Sequence, residues 1–100
     1  MEEYDLLGCI DKGLEPLGSH VKQTIYWKMT ILHGSQREGI VANPSIFAKV
    51  LQEIFGEISM RIEKSIIKEL GKVFELSVED MKTLTSAIVA AREQVVLVGS

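Results

Sequence analysis

Apolar residues recur every three or four positions through most of the chain, and this spacing places their side chains on one face of a helix. Four segments show the pattern: about residues 3–14, 20–33, 44–75 and 77–91. The third segment is long enough to hold two helices. The pattern predicts an all-α fold, a compact bundle of four to five helices.

Residues typical of helix ends flank these segments. Ser19, Asn43 and Ser77 are the predicted N-caps, because their side-chain oxygens can accept hydrogen bonds from the first backbone N–H groups of a helix. Pro44, directly after Asn43, has a φ angle already suited to a first helical position. Gly34 is the predicted left-handed stop of the second helix.

The third segment carries one apolar stripe through a glycine. The stripe consists of Phe47, Val50, Leu51, Ile54, Ile58, Ile62, Ile66, Leu70 and Val73. An unbroken helix over residues 44–75 would be about 48 Å long, more than the width of a compact domain of this size. We therefore expect a break near Gly56.

Two segments lack clear periodicity. Residues 34–43, "GSQREGIVAN", are predicted to form a loop. The terminal "VVLVGS", residues 95–100, is compatible with an extension of the last helix, a short strand, or a segment lying across a partner.

The second helix, which contains "IYWKMTILHG", is apolar over more than half of its circumference. Its predicted inward stripe is Val21, Ile25, Met29 and Leu32. Ile31 and the residues from Ile25 to Trp27 widen this stripe, so the helix is expected to be buried on two sides. Three interpretations stay open: a central helix of the bundle, a subunit interface with Tyr26 and Trp27 at its centre, or a small-molecule pocket beside Trp27.

Composition favours self-association. The chain has 100 residues, which predicts one domain over residues 1–100. Its 46% apolar content and mean hydropathy of +0.16 are high for a chain this small, so we expect a homodimer or a higher oligomer. The net charge of −3 opposes binding to nucleic acid or anionic lipid.

Short apolar runs and a single cysteine bear on the compartment. No uninterrupted apolar run approaches the roughly 20 residues of a membrane helix, so no membrane span is expected. The N-terminal "MEEYDLLG" is acidic and lacks the apolar core of a signal peptide. Together with the single cysteine, Cys9, these features predict a cytoplasmic protein.

The side chains that carry chemistry are few and widely spaced. Cys9, His20 and His33 do not have the spacing of a metal site, and no cofactor is expected. Cys9 is predicted to be a small buried apolar residue, and His33 to interact with the carbonyl end of its helix. "GSQREG" lacks the lysine and the glycine spacing of a phosphate-binding loop. No catalytic residue can be named.

Four basic residues form the strongest charge pattern. Arg61, Lys64, Lys68 and Lys72 share one helical face, but four glutamates at positions 57, 63, 69 and 75 balance the charge of the segment. The face is interpreted as solvated, and the alternative is a nucleic-acid-binding surface.

The order "LGSHVKQTIYWKM", a loop, and "NPSIFAKVLQEIFGEISMRIEKSIIKEL" resembles a small archaeal output-domain family of unknown biochemical function. Some members of this family are fused to two-component receiver domains. The resemblance covers about residues 14–75 and rests on three pairs: Leu17 with Gly18, Ile25 with Tyr26, and Phe55 with Gly56. It implies a signalling role exerted through a separate partner protein, and it brings no catalytic residues.

The function predicted from the sequence is a non-enzymatic protein-interaction or regulatory module that acts as a homo-oligomer. The alternatives are a nucleic-acid-binding helical regulator and a small-ligand sensor.

Overall fold

The computed structural model describes residues 2–34 and 39–99, and the side chains of residues 6–34 and 39–94. It is 85% helical and contains no strand among these residues, which confirms the predicted all-α bundle. The described part of the chain contains five helices of 12 to 16 residues: α1 (Glu2–Leu14), α2 (Ser19–His33), α4 (Pro44–Phe55), α5 (Ser59–Val73) and α6 (Leu84–Gly99). The four-residue turn α3 (Gly39–Ala42) lies before α4.

The core forms where α1, α4, α5 and α6 meet, and α1 lies along α5 in the most extensive helix contact. The larger side chains that are completely buried are Leu6, Ile10, Leu14, Ile25, Met29, Ile40, Phe47, Leu51, Ile66, Leu70, Leu84 and Ile88. The main contacts of α2 are with α4 and the 3₁₀ turn Glu15–Leu17. Of the three interpretations of α2, the central helix of the bundle does not fit, because α2 lies at the edge of the bundle.

The contact between α1 and α5 depends on a glycine. A Cβ atom placed on Gly13 would lie 2.6 Å from Ile66 Cγ1 and 2.7 Å from Ile66 Cα. The Ser65 hydroxyl donates a hydrogen bond of 3.2 Å to the Gly13 carbonyl at the same point. The absence of a side chain lets the two helix backbones approach this closely.

The apolar stripe of the third segment is buried or half-buried except at Ile58 and Val73. Gly56 has φ of +59°, and the 3₁₀ turn Gly56–Ile58 separates α4 from α5, which confirms the predicted break. Ile58 and Val73 were predicted to be buried, but they are 61% and 56% exposed. Ile58 lies in the tighter turn, whose residues no longer follow the helical register, and Val73 is the last residue of α5.

Of the two predicted ends of α2, the C-terminal one is correct and the N-terminal one is wrong. Gly34, at φ of +61°, is the left-handed stop, and its N–H donates to the carbonyls of Met29 and Thr30. Ser19 is not the N-cap. Gly18 holds that position at φ of +91°, and Ser19 is already the first helical residue.

The start of α4 is predicted correctly, and Pro44 is its first residue, but the predicted capping bond is absent. Asn43 is the N-cap, yet its side chain makes no capping bond to the backbone. Its Oδ1 accepts a hydrogen bond of 2.9 Å from the Ser45 hydroxyl. Part of the predicted loop before it is helical, because α3 buries Ile40 completely. Residues 35–38 of that loop lie outside the described residues.

The prediction that the last helix starts at Ser77 is wrong. Ser77 and Asp80 each donate their N–H to the other's side chain, at 3.0 and 3.1 Å, but only a single turn follows. The helix starts after Thr83, whose Oγ1 accepts the N–H of Ser86 while the Ser86 hydroxyl interacts with the Thr83 N–H. This reciprocal pair is a capping box.

The backbone of α6 continues to Gly99, so helix extension is the correct one of the three alternatives for the tail. The side chains of residues 95–99, and all of Ser100, lie outside the described part. No described helix combines the length and apolar content that a bilayer crossing requires.

Candidate interaction surface

Helix α2 has one buried face and one exposed apolar face. Ile25 and Met29 are completely buried. Trp27 follows Ile25 by two positions, which turns its side chain about 200° around the helix. Trp27 is 59% exposed and Ile31, one turn later, is 60% exposed. We define these two residues as the outer face of α2.

Two predicted inward residues of α2 are not fully buried. Leu32 is 52% exposed, and Val21 is half-buried against the core. Leu32 lies in the last turn of the helix, beside the point where His33 Nε2 is 3.4 Å from Glu53 Oε1 near the end of α4. His33 therefore contacts Glu53, whereas the sequence predicted an interaction with helix carbonyls. The core does not reach this end of α2.

Tyr26 and Trp27 are neighbours in sequence but point to different surroundings. Tyr26 is half-buried, packs against the core, and donates its hydroxyl hydrogen to Asp11 Oδ1 at 2.5 Å. This bond holds α2 against α1. Of the two predicted interface residues, Trp27 is the one with most of its side chain in solvent.

A depression of about 360 Å³ lies beside Trp27 and is lined also by His20, Gln23 and Thr24. All four lining residues belong to α2. A ligand here would contact a single helix, whereas small-molecule sites enclose most of the ligand's surface between several elements. The depression therefore lacks the enclosure that is typical of a small-ligand pocket.

Arg61, Lys64, Lys68 and Lys72 are all exposed on α5, as predicted. The glutamates expected to balance them do not all face them. Glu63 accepts a hydrogen bond from the backbone of Leu84 at the start of α6, while Glu69 Oε2 lies 3.0 Å from Lys72 Nζ. None of the ion pairs between described residues includes Arg61, Lys64 or Lys68.

The position of Glu63 also affects its protonation. Burial raises the pKa of the Glu63 carboxyl above its usual range, and the hydrogen bond from the Leu84 backbone partly opposes this rise. Burial disfavours the charged carboxylate, whereas an N–H donor favours it.

A groove of about 430 Å³ runs along the basic residues of α5. Lys64, Lys68 and Lys72 line it together with Ile67, Gly71, Leu76 and Met81. We call this surface the lysine groove. The sequence did not predict its second wall, because Leu76 and Met81 come from the segment between α5 and α6.

Gln94 of α6 positions this second wall. Its side-chain oxygen accepts the Glu75 N–H at 3.0 Å, and its side-chain nitrogen donates to the Glu75 carbonyl. A glutamine 19 residues away from its partner gives no sequence signal of such a contact. The clamp fixes the residues that precede the turn at Ser77.

A larger cavity of about 560 Å³ lies between α1, α2 and α5. Three lysines and three carboxylates line it: Lys12, Lys22, Lys72, Asp11, Glu15 and Glu69. Cys9 also lines it but is only 6% exposed, as predicted for a buried apolar residue. Among the described residues, no group of three or more metal-ligating side chains occurs. The balanced charges give this cavity no preference for an anion or a cation.

Comparison with protein-family models, with curated proteins and with solved structures finds no match for this chain. The resemblance to the archaeal output-domain family therefore stays a prediction. The residues on which it rests have structural roles here. Gly18 and Gly56 terminate helices with positive φ, and Ile25 belongs to the core.

Proposed function

We propose that the protein is a non-enzymatic interaction module that self-associates as a homodimer through the outer face of α2. The observation that carries this proposal is the exposure of Trp27 and Ile31 on one face of a helix whose other face is buried. Tryptophan is among the residues most enriched at the energetic centres of protein interfaces. Such a side chain, mostly in solvent beside an exposed isoleucine, is typical of an interface residue.

The chemistry of the outer face suits contact with a second copy of itself. In a two-fold symmetric dimer the same patch lies on both subunits, so residues near the axis meet their own copies. Any formal charge there would face a like charge. The other residues that line the depression beside Trp27, which are His20, Gln23 and Thr24, are neutral when the histidine is unprotonated. The patch can therefore pair with itself although the chain carries a net charge of −3.

The regulatory part of the proposal, an output role for a separate signalling protein, rests on the family resemblance. Its support in the fold is indirect: the outer face of α2 and the lysine groove are distinct surfaces. A module with two such surfaces can bind a second protein while it remains a dimer.

Sedimentation velocity over a range of concentrations tests the dimer. The wild-type protein is expected to change from a monomer of 11.1 kDa to twice that mass as its concentration rises. Trp27→Ala is expected to weaken association about thirtyfold or more, because truncation of a central interface tryptophan typically costs about 2 kcal/mol or more. Ile31→Ala should weaken it less.

Val78→Ala is the matched control, since Val78 is 82% exposed but belongs to the segment between α5 and α6 and is not part of α2. It should leave the association constant unchanged. A wild-type protein that stays monomeric at every concentration would refute the proposal. A dimer equally stable in the Trp27→Ala variant would place its interface elsewhere.

A further inference from the structure

We propose that the lysine groove binds an acidic amphipathic helix of a partner protein. This inference concerns a different surface from the proposed dimer interface and does not depend on it. The groove combines three lysines along one edge with apolar side chains on its floor and opposite wall.

The lysines have the spacing that an acidic helix would match. Lys64, Lys68 and Lys72 follow each other at intervals of one helical turn, so they cover about 12 Å along α5. Carboxylates at the same interval on a second helix would lie opposite them. Of the four glutamates at positions 57, 63, 69 and 75, two have other partners than Lys64 and Lys68. Glu63 faces Leu84, and Glu69 pairs with Lys72.

The apolar part of the groove is exposed enough to contact such a helix. Ile67 forms a nearly buried floor, Leu76 is half-buried, and Met81 is 41% exposed. Methionine adapts its shape to different apolar partners because its side chain is flexible and polarisable. Val78, three residues before Met81 in the chain, adds a further exposed apolar side chain to this segment, since it is 82% exposed.

The row of lysines and the exposed apolar wall together indicate which kind of partner fits the groove. A nucleic-acid backbone would pair with the lysines but offers no apolar face to cover Leu76 and Met81. A second copy of the same groove would bring lysines against lysines. A helix with carboxylates on one side and leucines on the other satisfies both the charged edge and the apolar wall.

The test uses a fluorescein-labelled synthetic peptide of about 18 residues, with leucine along one helical face and glutamate along the other. Its binding to the full chain is measured by fluorescence anisotropy at low and high salt. Two further probes are a scrambled peptide of the same composition and a labelled DNA duplex. The acidic amphipathic peptide is expected to bind, more weakly as salt rises, and the scrambled peptide to bind far less.

Lys64→Gln with Lys68→Gln is the diagnostic variant. Both side chains are exposed, so the fold is expected to remain intact, which circular dichroism verifies. Loss of two exposed charge pairs should weaken peptide binding about three- to thirtyfold. Replacement of the same two lysines by arginine should retain binding, and Lys49→Gln, on α4, should leave it unchanged.

Three results would overturn the proposal. The first is equal binding of the amphipathic and scrambled peptides, and the second is peptide binding that the double glutamine variant does not weaken. The third is a wild-type protein that binds the DNA duplex but not the peptide, together with a double glutamine variant that no longer binds DNA. That result would assign the lysines to nucleic-acid binding.

Discussion

Replacement of Gly13 by alanine is expected to destabilise the fold, although alanine normally favours a helix. The new Cβ would lie 2.7 Å from Ile66 Cα and 3.0 Å from Ile66 N, where carbon contacts need about 3.5 Å or more. The close atoms are backbone, so α1 and α5 must separate. Overpacking of this kind typically costs about 1–3 kcal/mol.

Two further terms modify this cost. Separation of the helices also stretches the hydrogen bond from Ser65 to the Gly13 carbonyl, a loss of about 0.5–1.5 kcal/mol. The removal of a helical glycine returns at most about 0.5–1 kcal/mol. The net expectation is a decrease of about 1–3 kcal/mol in the free energy of unfolding, and a melting temperature at least about 4 °C lower.

Urea unfolding followed by circular dichroism measures this change. Gly8→Ala is the matched control, because Gly8 lies in the same helix and its added Cβ would meet nothing within 4 Å. That variant should be as stable as the wild type or up to about 1 kcal/mol more stable. A Gly13→Ala protein as stable as the Gly8→Ala protein would refute the close approach of α1 and α5.

Three other stability predictions follow from the contacts above. Gly71→Ala should raise the free energy of unfolding by about 0.5–1 kcal/mol in urea unfolding, because its Cβ would meet only Met81 Cε, at an ordinary 3.6 Å. Thr83→Ala should lower the free energy of unfolding by about 0.5–2 kcal/mol through loss of the α6 cap. Ser77→Ala should lower it less, because Ser77 caps only a single turn. Because burial raises the pKa of Glu63, the folded protein binds this proton more tightly than the unfolded chain, so its contribution to stability is lost as the pH rises through the folded pKa. Glu63→Gln should therefore gain stability relative to wild type as the pH rises from about 4 through the folded-state pKa of Glu63, measured as the difference between the two unfolding curves.

Periodicity predicted the helices well because most of them bury one regular stripe. Ile62, Ile66 and Leu70 are buried as their spacing requires, and the break at Gly56 is where the length of the segment demanded it. The pattern did not distinguish core from surface at helix ends. Val73 has the correct phase for burial, but it is the last residue of α5 and is 56% exposed.

The error at α2 has a different origin. Apolar residues around more than half of a helix predict burial on two sides, but a helix at the edge of a bundle has a neighbour on only one. The surplus apolar residues, Trp27 and Ile31, are left in solvent. The surplus of apolar residues on α2 is visible in the sequence. Tertiary contacts decide which of these residues are exposed.

The start of α6 was mispredicted because two capping signals compete within a few residues. Ser77 with Asp80 and Thr83 with Ser86 both form reciprocal side-chain bonds to backbone N–H groups. Only the second pair stands directly before Leu84, the first buried residue of α6. Its position beside the apolar run was a usable signal. The second wall of the lysine groove, by contrast, gave no such signal, because Gln94 bonds the Glu75 backbone across 19 residues of sequence.

Trp27 is the only tryptophan of the chain, so its fluorescence reports directly on the outer face of α2. With 59% of the residue exposed in the monomer, its emission is expected at the long wavelength of a solvated indole. As the concentration rises, the emission should shift to shorter wavelength with the same midpoint as the increase in mass, because the dimer buries the ring. An emission maximum that stays at long wavelength while the mass doubles would contradict an interface at Trp27.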